Sequence, residues 1–186
     1  QQAKLIVKSD MALQKAQQES AKRLETLEEL QKVSRLISTT LDEQEIFKRL
    51  HQSFTRHLDF DKVFIFVYQP SHGETSSDNA QRTVSEYLTI GLTIDDVQSI
   101  VHQFENISGL TRSLSQGITN SSSNTSPQTK YLISELFEVK YFLIMPILSQ
   151  DELMGIIFVG NQTMFLAMTD EDQDMLSILS SQIAQS

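Results

Sequence analysis

The acid runs Asp95-Asp96 and Asp170-Glu171-Asp172 and the four histidines, His51, His57, His72 and His102, are the side chains of this sequence that could move a proton or hold a metal. General acid–base work needs carboxyls whose surroundings drive their pKa values apart. Both acid runs instead follow a threonine, Thr93 and Thr169, at what read as helix starts, where capping and the helix dipole account for them. There is no Walker-type glycine loop and no His-Glu-x-x-His motif, and the serine-rich stretches have no base nearby. Zero cysteine removes disulfides, thiolate metal sites and cysteine nucleophiles, each of which needs the sulfur. The expectation is a chain that binds or transmits, with no enzymatic step of its own, held together by packing alone.

Charge narrows the partners. The net charge is −9, with seven Lys/Arg against five Asp/Glu in residues 1–40 and eight against nineteen beyond, so the acidic part is the globular one. Such a surface repels a polyphosphate backbone, which argues against nucleic acid. No run of eighteen apolar residues, signal-peptide start or lipidation motif occurs, so nothing within these 186 residues is expected to cross or anchor to a membrane.

The elements that must position any site follow from periodicity. From Ala3 to about Leu41 there is no Gly or Pro and strong helix formers dominate. Leu13, Ala16, Leu24, Leu27, Leu30, Val33 and Ile37 recur at spacings of three and four through much of it, and Glu19/Arg23 and Glu28/Lys32 stand at i,i+4. This predicts a long helix that is either half of a parallel two-stranded coiled coil or a solvated spacer. Thr40 and Glu43 form a capping box for a second helix, Gln44 to about His57, which buries Ile46, Phe47, Leu50 and Phe54.

KVFIFVYQP, Lys62 to Pro70, is apolar on both faces and predicts a central strand, with RTVSEYLTI as the second. Thr93 is expected to cap a helix from Ile94 to about Phe104, and residues 106–130, rich in serine, are expected as loop or weak edge structure. YLISELFEV reads as a short helix. YFLIMPILS and ELMGIIFVGN read as strands joined by the turn Ser149-Gln150-Asp151-Glu152, with Pro146 pointing to an edge or bulge. The closing helix carries a stripe of Met175, Ile178, Leu179 and Ile183 and runs to the last residues with no stop signal, while the chain starts without methionine. Both ends read as cut from a longer polypeptide. The order of elements predicts an α+β fold, an antiparallel central sheet with helices mainly on one face, preceded by a long N-terminal helix.

The segments LQKVSRLISTTLDEQEIFKRL, DKVFIFVYQ and FLIMPILSQDELMGIIFVGNQTMFLAMTDEDQDMLSILSSQIAQS, taken in order, resemble a GAF domain of a bacterial-type signalling protein, with a PAS-like domain as the structural alternative. The resemblance divides the chain into a signalling or coiled-coil helix, residues 1–41, and a sensor domain, residues 42–186. It implies a cytoplasmic regulatory module that encloses a small molecule between one sheet face and the variable loops, and that works as a homodimer through its N- and C-terminal helices. A ligand-free GAF-like domain, its cavity filled by Phe and Met and kept for dimerisation and transmission, is the alternative reading.

Within that frame the ligand-binding candidates are Phe66 and Tyr68 on one face of the first strand, Tyr87 on the second, Arg112 as a clamp for carboxylate or phosphate, and Tyr131 and Tyr141 as pocket wall. Core packing competes for Phe137, and solvent exposure for Arg112. The Asn-Lys…Phe…Asp-Glu signature of cyclic-nucleotide-binding relatives has a partial counterpart in Asn161, Phe165, Asp170 and Glu171, but Gln162 stands where lysine belongs, which argues against that ligand. Without cysteine the family's covalent bilin, sulfoxide reductase and thiolate-iron chemistries are excluded, and haem would have to rely on His102. No cofactor is assigned.

Overall fold

A computed structural model of the chain describes residues 2–39, 45, 47–48, 50–52, 60–70, 82–162 and 170–185, without the side chains of 29, 30, 33–39, 171 and 172. The expected Thr40/Glu43 box, Ile46, Phe54, His57, His72, Phe165 and the Thr169 cap lie outside these residues, as do the side chains of Leu30, Val33, Ile37, Glu171 and Asp172.

Helix α1, Gln2–Thr39, spans 38 residues, about 57 Å at 1.5 Å per residue. Residues 45, 47–48 and 50–52 are helical. Then follow strands β1, Lys62–Tyr68, and β2, Val84–Ile90, and helices α2, Val97–Glu105, and α3, Leu110–Ser115. A two-residue strand β3, Asn120–Ser121, precedes helix α4, Pro127–Phe137, strands β4, Tyr141–Ser149, and β5, Glu152–Asn161, and the closing helix α5, Asp170–Gln185. The sheet order is β2-β1-β5-β4-β3 and every pairing is antiparallel. This is the α+β fold expected from the sequence, long N-terminal helix included.

Strand pleat sorts the core into two layers, because successive side chains point to opposite faces. Val63, Ile65 and Val67 join Leu143, Met145, Ile147, Ile157 and Val159 on one face, under Leu176, Leu179 and Ile183 of α5 and with Phe47 and Leu50. Phe64, Phe66 and Tyr68 join Phe142, Ile144, Ile156 and Phe158 on the other, under α2, α3 and α4. The unbroken apolar run of β1 follows from burial on both faces. α5 also contacts α1, so the two terminal helices meet on one side of the sheet.

Residues 106–130 are more ordered than their composition suggests. Ile107, Leu110 and Leu114, spaced by three and four, are buried against the second face, which turns part of the expected loop into α3, and β3 is the weak edge structure. The helix expected from Ile94 begins at Val97 because Asp96, not Thr93, supplies the cap, accepting from Ser99 N. The β4–β5 turn takes the left-handed region at both Gln150 (φ 51°) and Asp151 (φ 64°), the pattern of the tight hairpin turns that match strand twist. On β5, Gly155 is required by close approach: a Cβ there would lie 2.2 Å from the Phe66 carbonyl oxygen of β1.

Pro146 lies on the part of β4 that the two residues of β3 do not reach, one residue before the irregularity at Ile147/Leu148. It offers no N–H, and its carbonyl accepts a 2.7 Å hydrogen bond from the buried Ser180 hydroxyl of α5. An edge otherwise open to another strand is thereby blunted and tied to the closing helix. Ser180→Ala leaves that buried carbonyl unpaired, and is expected to cost about 1–2 kcal/mol, read as a lower urea midpoint at unchanged slope.

Candidate functional site

The face under α2–α4 is filled by a connected set of rings. Phe137 of α4 stacks on Phe158 of β5 with centroids 4.2 Å apart, and the Phe142 ring lies 6.4 Å from Phe158. Phe64 lies 6.0 Å from Phe137 and 5.1 Å from Phe66, which meets Tyr68 edge-on at 5.4 Å and Phe104 of α2 at 6.4 Å. Each ring is at most 4% exposed. Offset and edge-to-face geometries are the favourable ones for aromatic pairs, so these buried rings pack on one another between the sheet and the helices.

Of the six candidate ligand residues the structure brings three together. Phe66 and Tyr68 are buried neighbours in this layer, and Tyr87, paired across from Phe66, sits at its margin, half exposed. Arg112 on α3 and Tyr131 on α4 are exposed on helices whose buried residues, Leu110, Leu114, Ile133 and Phe137, face the layer. Tyr141 begins β4 in the alternation of Leu143 and Met145, on the opposite face, with the Lys140 ammonium 5.6 Å from its ring. The six therefore do not form one site.

At the margin a polar group forms that the sequence did not single out. The Tyr68 hydroxyl donates to Glu105 of α2 at 2.6 Å, and the Arg82 guanidinium lies 5.4 Å over the Tyr68 ring while donating to the Leu153 carbonyl at 2.9 Å. Burial pushes the Tyr68 phenol well above the usual tyrosine range, helped by its hydrogen bond to Glu105 and that carboxylate's charge, with Arg82 opposing. The folded chain thus holds the phenol proton more tightly than the unfolded chain. This contribution is complete below the unfolded tyrosine value of about 10 and is lost as pH rises above it. Tyr68→Phe is expected to lower stability by about 1–2 kcal/mol near neutral pH and to make the fall between pH 10 and 12 shallower, read by urea titrations at several pH values.

The Asn161–Gln162 pair makes a structural clamp. Asn161, 1% exposed, ends β5 and its side-chain oxygen accepts from Asp61 N at 2.8 Å. Asp61 in turn accepts from Gln162 N at 2.9 Å, and the Gln162 amide donates to the Glu138 carbonyl at 2.8 Å. Gln162 thus ties the end of β5 to the α4–β4 link with a neutral hydrogen bond. His102 is exposed on α2, and among the described residues no three His, Cys, Asp or Glu side chains are gathered as a metal site. No helix among them is long and apolar enough to cross a membrane.

On the other side, α5, the open part of the β4 edge and the Gly117–Thr119 link enclose a groove of about 270 Å³. Gln173, Asp174, Ser177, Ser180 and Ser181 form one wall, and Met145, Pro146 and Leu148 the opposite one. Of these residues the sequence marks only Pro146, and as an edge or bulge position on a strand. Their helical spacing on α5 was visible there, but the wall opposite is set by tertiary pairing.

Comparison with known proteins gives one family. A model described as the GAF domain matches residues 42–186. Among solved structures, the GAF domain of a putative sensor histidine kinase from Pseudomonas syringae pv. tomato is similar at 14% identity and TM-score 0.55, over 91% of this chain and 89% of that one. The GAF domain from an Acinetobacter phosphoenolpyruvate-protein phosphotransferase is similar at 13% and 0.55, over 85% and 89%. The phycocyanobilin-bound GAF domain of a cyanobacterial phytochrome is similar at 18% and 0.54, over 87% and 94%. A search of curated proteins found no match.

Proposed function

Because this chain belongs to the GAF domain family, we propose that it is a cytoplasmic regulatory module of a larger bacterial-type signalling protein, working as a homodimer through α1 and α5 and passing a change in the sheet to those helices. The observation that carries this reading is the packing of α5 on the central strands through Leu176, Leu179 and Ile183 while it also touches α1. A displacement of β4 or β5 is felt at once by both helices. With the opposite face occupied by stacked rings, Phe66 and Tyr68 act as core, and the module transmits without a catalytic step. Similar solved GAF domains come from a putative sensor histidine kinase and from a phosphoenolpyruvate-protein phosphotransferase, which fits a module carried within a larger protein.

A second reading, a small-molecule sensor, draws support from Tyr87, Arg82 and Glu105. The half-exposed ring and two charged groups border the aromatic layer, as recognition of an aromatic or charged ligand at its margin would need. A phycocyanobilin-bound relative fits it too. Native mass spectrometry of the purified chain, with denaturing release of any bound molecule, separates the readings. A dimer that is empty and gains no thermal stability from a metabolite and cyclic-nucleotide panel supports transmission. A dimer carrying a stoichiometric small molecule supports sensing, and a monomer overturns both.

A further inference from the structure

The groove between α5 and the β4 edge combines three properties that point to a ligand. Its volume, about 270 Å³, is close to the lower end of small-molecule sites. Three of its hydrogen-bonding side chains are uncommitted: among the described residues those of Thr119, Asp174 and Ser177 have no partner, while the Ser180 hydroxyl donates to the Pro146 carbonyl and the Ser181 hydroxyl to the Ser177 carbonyl. Its chemistry is one-sided, since among the described residues the lining holds one carboxylate, several hydroxyls and an amide but no cation, in a chain of net charge −9. An anion would meet no counter-charge there and would be repelled by Asp174. The wall made by Met145, Pro146 and Leu148 is apolar and suits the C–H face of a compact ring.

We propose that this groove binds a small hydroxylated ammonium compound, of the amino-sugar or amino-alcohol class, with the ammonium on Asp174 and the hydroxyls on Thr119 and Ser177. Such a ligand bridges α5 to the sheet edge beside the Ser180–Pro146 hydrogen bond, and so acts on the closing helix from the face opposite the aromatic layer. The proposal needs neither the dimer nor a ligand at the Tyr68–Tyr87 margin.

The test is titration of the ¹⁵N-labelled chain with glucosamine, with glucose and glucose 6-phosphate as controls. Expected are saturable amide shifts centred on Gly117, Thr119, Ser177 and Ser181, with affinity in the millimolar range suited to an open groove. Glucosamine binding should weaken about threefold in Asp174→Asn, as for an exposed ion pair, and vanish in Ser177→Leu, which fills the groove. Asp174 and Ser177 are exposed on α5, so both variants are expected to melt like the parent chain, and a melt of each confirms it. Equal binding of glucose, or tighter binding of glucose 6-phosphate, overturns the ammonium assignment. Non-saturating shifts, saturable shifts confined to other residues, or undiminished binding by Ser177→Leu overturn the site.

Discussion

Phe158→Ala is expected to destabilise the chain by about 3–5 kcal/mol, the range for removing a fully buried phenylalanine whose neighbours relax only partly. Phe158 is 0% exposed and stands on β5, the middle strand of the sheet. Its ring is the one on which Phe137 stacks at 4.2 Å and against which Phe142 lies at 6.4 Å. Truncation removes the transfer free energy of the ring and leaves α4 above a cavity that neither β1 nor β4 can close, because both are held to β5 by ladder hydrogen bonds. Against total stabilities of 5–15 kcal/mol this is a large share. Urea titration followed by circular dichroism should show the midpoint falling with little change in slope, and Phe158→Leu should recover more than half of the loss. A loss below about 1.5 kcal/mol would mean that the layer has room to rearrange, and would move the weight of argument from transmission to sensing.

The contrast between what could and could not be read from the sequence has a physical origin. β4 and β5 match their expected segments because a two-sided apolar run flanked by turn residues is a local signal, and Pro146 announces a missing donor wherever it stands. α3 was hidden because its helical stripe is only Leu110 and Leu114, set among polar residues, and tertiary burial decides the matter where propensity is weak. The alternation of Phe66 and Tyr68 put them on one face, as β1 has them. That Glu105 would accept from the Tyr68 hydroxyl, or that α5 would cover the β4 edge, depends on pairings 37 and 34 residues apart in sequence, which no local pattern encodes.

Leu24→Lys combined with Leu27→Lys is expected to turn the proposed dimer into a monomer while leaving the domain folded. Both leucines are exposed on α1, 62% and 42% respectively, as are Leu13 and Met11 further along the helix, so in a single chain they make little contact with the core. A helix of 38 residues with Glu19/Arg23 and Glu28/Lys32 at i,i+4 is stable enough to present that stripe but leaves it in water. Pairing with a second α1 would bury it in the manner of a coiled-coil seam. Full burial of a leucine contributes about 1.5–3 kcal/mol, and the double substitution removes two from each chain and places lysines against lysines. The dissociation constant should therefore rise by more than about a thousandfold. Sedimentation equilibrium reads this directly, and an unchanged thermal transition for the globular part would show that α2–α5 and the sheet do not rely on the seam. A chain that stays dimeric would place the interface elsewhere and remove α1 from the transmission path.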